Sequence, residues 1–183
     1  MIFSPAVSRG LSVLTKPSDR DLQKRIGPSE LGDMCQLCLA EKLIGVHVND
    51  RQGTPLAPLF GTAMHSYIEG LTYGSEGVLV EHRVDVGEVP GYGIISGTMD
   101  RFDIEYGHGI DWKCLSLNKA KGFRSCHTFR TDGELVTDDS DRHSSTLRKY
   151  WHQLQLYGKG MEDDGYTVND LSIVILPRDA TTQ

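Results

Sequence analysis

The stretch that decides the fold is "GTMDRFDIEYGHGIDWKCLS", residues 97–116. It joins the end of one strand-like run, residues 93–106, to a second, residues 109–116, through the "GHG" turn signal. In the second run Asp111 and Lys113 fall on one face of a strand, and Trp112 and Cys114 fall on the other. A surface ion pair accounts for Asp111 and Lys113 taken alone, with Trp112 and Cys114 as core. Asp100 changes that reading. Neighbouring strands bring Asp100 and Asp111 together, and paired carboxylates repel unless a cation lies between them or one is protonated. A hard oxygen-ligand site for Mg2+ or Mn2+ is the natural use of such a pair. Lys113 then sets an ammonium beside the metal, placed to orient an attacking water or to stabilise charge on a phosphate.

The elements around this stretch follow from periodicity. "VLVEHRVDV" (78–86) reads as a preceding strand, so that residues 78–116 form an antiparallel meander. Upstream, Phe60, Met64, Tyr67, Ile68 and Leu71 recur at helical spacing after a loop containing Pro55 and Pro58; His65 shares a face with Glu69, offset from that stripe. "PSELGDMCQLCLAEKLIG" (28–45) predicts one helix, with Ser29 as N-cap, Gly45 as stop, and Cys35 and Cys38 on one face. Residues 1–27 lack sustained periodicity and read as a flexible arm. Downstream, residues 117–144 read as a polar loop. A helix over 145–165 presents Leu147, Tyr150, Trp151, Leu154, Tyr157 and Met161, and "LSIVILPR" (171–178) closes as a buried strand. A meander whose last strand is reached through a helix makes a mixed α/β sheet flanked by helices, in a single domain over 28–183.

Composition sets bounds. At 183 residues and 38% hydrophobic the chain supports one domain with a core. It contains neither an apolar run of about 18 residues nor a signal-peptide h-region, so a soluble, intracellular, cytoplasmic protein with no membrane partner is expected. The net charge of -6 argues against nucleic-acid binding driven by phosphate neutralisation alone. An acidic enzyme still cuts nucleic acid when its carboxylates hold a divalent metal against the phosphate. Four cysteines are too few for a disulfide scaffold, which predicts reduced thiols or metal ligands.

"GTMD" followed ten residues later by "DWK" resembles the core of the PD-(D/E)XK nuclease superfamily. His65 in "GTAMHSYIEG", Glu81 in "VEHRV", and Gln153 with Tyr157 in "QLQLY" narrow the resemblance to RecB-like exonucleases, the group that includes the CRISPR-adaptation nucleases. It covers roughly residues 28 to 178. The resemblance implies a restriction-endonuclease-like fold and a metal-dependent deoxyribonuclease, acting as an exonuclease on DNA. It also implies that His65, Asp100, Asp111 and the Trp112 backbone carbonyl ligate Mg2+ or Mn2+, with Glu81 as an auxiliary acid and Lys113 positioning the water. Gln153 and Tyr157 would brace the lysine and contact the DNA strand. Some relatives hold an iron–sulfur cluster on one early cysteine and three near the C-terminus, a spacing absent here. A cluster or zinc on Cys35, Cys38, Cys114 and Cys126 stays open, although Cys114 should point to the apolar side.

Each residue also has an ordinary reading. His65 fits a helix surface or a satisfied core, Glu81 a solvated strand face, and Trp151 and Tyr157 the apolar stripe of their helix. Gln153 is harder to explain in a core, because a buried amide needs partners. Lys119, Lys121 and Arg124 after the lysine strand, and Arg142, Arg148 and Lys149 on the last helix, suit a solvated surface or the path of a phosphate backbone. Phe123, Phe129 and Trp151 suit core packing better than base stacking. The rival function is a non-catalytic DNA- or protein-binding module on the same fold. Thiol–disulfide chemistry at Cys35 and Cys38 is disfavoured, since no βαβ context precedes them. Nothing in the sequence sets an oligomeric state.

Overall fold

The computed structural model of the protein describes residues 26–32, 35–44, 56–125, 128–129, 135–136 and 142–179. In chain order these form α1 (Pro28–Leu31), α2 (Gln36–Leu43), α3 (Leu56–Thr72), β1 (Val78–Val89), β2 (Gly93–Asp103) and β3 (His108–Leu115). Then come α4 (Leu117–Ser125), β4 (Thr128–Phe129), β5 (Leu135–Val136), α5 (Arg142–Asp163) and β6 (Asp170–Pro177). The main sheet has the order β1-β2-β3-β6. The first three strands are antiparallel neighbours, as the alternation predicts, and β6 runs parallel to β3 with Asp111 beside Ile173. Parallel neighbours cannot be joined by a tight turn, so α4, β4, β5 and α5 form the crossover.

The core lies between α5 and the sheet. Leu154, Tyr157 and Met161, spaced three and four apart, pack with Val84, Val86, Ile95, Met99 and Phe102. Glycine permits the close approach. A Cβ on Gly97 would meet Tyr157 Cε1 at 2.5 Å and Pro28 Cγ at 2.7 Å, and one on Gly160 would meet the Asp85 carbonyl at 2.9 Å. Helices α1 and α5 therefore sit directly on the backbone of β2 and β1.

Several local expectations are corrected. The single helix expected over 28–45 is two. Helix α1 ends at Gly32, which packs so closely on α5 that a Cβ would stand 2.7 Å from the Lys149 carbonyl. Its N-cap is Gly27 rather than Ser29, and the Glu30 carboxylate accepts the Gly27 N–H at 2.7 Å. Ile26 is 5% exposed, so the packed body starts before Pro28. Helix α3 begins at Leu56, with Pro58 in its first turn, where a missing N–H costs nothing. Part of the expected loop is α4: the Ser116 carbonyl takes the Ala120 N–H at 3.0 Å, and Phe123 is buried at 2% exposure. Further along the same segment, β4 and β5 pair as a two-residue ladder. Of the arm expected over residues 1–27, residues 1–25 lie outside the described residues.

Candidate active site

Three carboxylates stand in one row across the sheet. Val80 pairs with Arg101 and His82 with Met99, which sets Glu81 opposite Asp100. Arg101 pairs with Ile110 at the end of the β2–β3 ladder, so Asp100 and Asp111 are next in line. Like charges directly opposite one another destabilise a sheet. The row is also where β1 is irregular: Glu81 has φ 49°, a left-handed conformation rare outside glycine. The irregularity switches the strand's faces, because Leu79 before it and Val84 after it pack on the same core. A regular strand would send those two residues to opposite sides.

His65 on α3 closes the row. Its Nε2 lies 3.1 Å from the Trp112 carbonyl, which can only accept, so Nε2 carries the proton in that bond. Nδ1 then faces the carboxylates, 3.6 Å from Asp100 Oδ1 and 3.9 Å from Glu81 Oε1. The neighbouring Glu81 is the main cause of a raised His65 pKa, with burial opposing it and Asp100 and the Trp112 carbonyl adding to it. Asp100 is pushed up to about 6, first by burial and then by the charge of Asp111, although its Oδ2 accepts the Trp112 N–H at 2.7 Å. Burial also raises Asp111, which is 1% exposed, and Lys113 works against that rise. Lys113 Nζ stands 2.6 Å from Asp111 Oδ2.

The donor set suits a hard divalent cation. Ligand atoms of His65, Glu81 and Asp100 lie within 4.8 Å of one another, and an imidazole nitrogen with carboxylate oxygens is chemistry that Mg2+ or Mn2+ accepts. Asp111 is not in that trio; its carboxylate is held by Lys113. The Trp112 carbonyl, expected as a ligand, is engaged by His65. His65, Glu81, Asp100, Asp111, Trp112 and Lys113 all line one cleft of about 280 Å³, together with Thr98, Tyr150, Gln153 and Tyr157. A wider depression of about 390 Å³ around Trp151, Lys159 and Asn169 includes none of the candidate ligands.

Other expectations resolve unevenly. The faces of β3 are the reverse of a charged exterior over an apolar core: Asp111 is fully buried, whereas Trp112 and Cys114 are half-buried. The Gln153 amide donates to the Tyr157 hydroxyl at 2.8 Å, which supplies the partner a buried amide needs. Cys35 and Cys38 form a disulfide rather than remaining reduced, so neither offers a thiolate to a cluster or zinc in this state. Cys114 is a free thiol, and Cys126 lies outside the described residues. Among the basic residues, Lys119 and Lys121 are on α4 and Arg148 and Lys149 on α5, while the side chains of Arg124 and Arg142 are outside the description. The periodicity assigned Tyr150 to a packing stripe and missed its place in the cleft. Its position three residues before Gln153, on the same helical face, is the signal that could have found it.

No family model, curated protein or solved structure matches this chain. Among the described residues, no helix is long and apolar enough to cross a membrane. The class defined by fold and site is therefore a mixed α/β protein with a carboxylate–histidine–lysine cleft.

Proposed function

We propose that the chain is a metal-dependent deoxyribonuclease of the PD-(D/E)XK, RecB-like type, with a restriction-endonuclease-like fold. The observation that carries this reading is the row of Glu81, Asp100 and Asp111 across three strands, with Lys113 paired to its last member and His65 facing its first two. Burying Asp100 and Asp111 side by side, next to an exposed Glu81 held in a strained backbone conformation, is costly for a fold alone. A site that binds a cation offsets the cost.

His65, Glu81 and Asp100 would hold Mg2+ or Mn2+, with Asp111 adjoining. Such an ion supplies Lewis-acid polarisation of a phosphate and acidifies water. Trp112 organises the ligands from its backbone: its carbonyl fixes the His65 tautomer and its N–H holds Asp100. Lys113, kept in place by Asp111, orients the attacking water and offsets charge growing on the phosphate oxygens. Lys119, Lys121, Arg148 and Lys149 are the candidates for phosphate-backbone contacts, and exonuclease action follows from the resemblance.

The test is degradation of end-labelled single- and double-stranded DNA in Mn2+, Mg2+ or EDTA by wild type and Lys113→Ala. Cleavage that needs the metal and is lost in the variant supports the reading. Cleavage that survives in Lys113→Ala, or its absence from wild type, returns the chain to the non-catalytic binding module.

A further inference from the structure

The lysine of the cleft has a second neighbour. Lys113 Nζ lies 5.2 Å from the centroid of the Tyr150 ring on α5, over its face. An ammonium at that distance from an aromatic face is attracted by the ring quadrupole. The ring is itself braced. Phe123 on α4 meets it edge-on, with centroids 6.3 Å apart and planes at 87°, and Phe123 is 2% exposed. Helix α4 begins two residues after β3 ends. The strand that carries Lys113 thus leads directly into the helix that props the ring against it. The Gln153 amide, by contrast, donates to Tyr157.

We infer that Tyr150 is the positioning residue for Lys113, and that Phe123 and Tyr150 together fix the direction in which the ammonium points. Asp111 alone leaves the ammonium free to swing about one contact at 2.6 Å. Adding the ring face confines it between a carboxylate and a π surface, as a group that must meet a reacting phosphate requires. The ring, not the hydroxyl, does this. The inference rests on the nuclease reading and assigns a role within that same cleft.

The experiment replaces Tyr150 with phenylalanine and then with mono-, di- and trifluorinated phenylalanines. Fluorination weakens the ring quadrupole while scarcely altering its size. Single-turnover cleavage of labelled DNA in Mn2+ gives the rate, and binding of the same DNA in Ca2+ gives the affinity. Tyr150→Phe is expected within about twofold of wild type. The fluorinated series should then fall stepwise to roughly a three- to tenfold loss, as a weak cation–π contact predicts, with DNA affinity and melting temperature unchanged. A flat series with an active wild type overturns this assignment alone and leaves Tyr150 as packing. A wild type that cleaves no DNA overturns the nuclease reading, and this assignment with it.

Discussion

Asp100 Oδ2 accepts the backbone N–H of Trp112 at 2.7 Å, so the residue following Asp111 tethers the carboxylate opposite it. That bond favours the ionised form, yet burial and Asp111 outweigh it and raise Asp100 from 3.8 to about 6. Between those values the folded chain binds more protons than the unfolded chain. The Asp100 contribution to stability is therefore fully present below pH 3.8 and is lost as the pH rises through about 6. Its size is at most about 3 kcal/mol. His65, also raised, carries the loss above its ordinary value in the same direction. In EDTA, the stability of wild type relative to Asp100→Asn should fall from pH 4 to pH 7. Urea titrations at each pH measure it, and a rising difference would contradict the raised pKa.

Glu81 is held at φ 49°, where any side chain bearing a Cβ is penalised by about 1 kcal/mol and glycine is not. In an ordinary strand, alanine is more stable than glycine. Here the order should invert, with Glu81→Gly more stable than Glu81→Ala by about 1 kcal/mol in metal-free urea melts. Both variants should lose most of the Mn2+-induced rise in melting temperature shown by wild type.

The meander, the last helix and the parallel closing strand were legible because alternation and helical spacing report burial directly. The row of acids was legible only in part. Asp100 and Asp111 follow from adjacent strands, but Glu81 joins them through a left-handed residue that no side-chain pattern announces. The burial of Asp111 over Trp112 was not legible either, since polarity predicts exposure until Lys113 is seen to pair with it. Helix α4 was missed because its residues are mostly polar. Its anchor, Phe123, acts through a contact with a helix some 20 residues on, which local pattern does not encode.

Asp111 is 1% exposed and has Lys113 as its ion-pair partner. Removing one member of a buried pair strands the other charge, at a cost of roughly 3 kcal/mol near neutral pH. Lys113→Met should pay that cost. The double variant Asp111→Asn, Lys113→Met should recover most of it, because no charge is then left unpaired. A double-mutant cycle by chemical denaturation in EDTA gives the coupling, and additive effects would show that the pair is not closed in solution.

Gly97 and Gly70 should respond oppositely to the same substitution. A Cβ at Gly97 would press on Tyr157 Cε1 at 2.5 Å and on Pro28 at 2.7 Å, two ring atoms that cannot swing aside. Gly97→Ala should therefore destabilise the protein by about 2 kcal/mol and speed amide exchange over residues 26–31, as α1 lifts from β2. Gly70 is inside α3 with nothing within 4 Å of its Cβ position. Gly70→Ala gains helix propensity and should stabilise by up to about 1 kcal/mol. Equal effects at the two sites would mean that α1 does not dock on the glycine of β2, and the packing of Tyr157 beside the cleft would need another explanation.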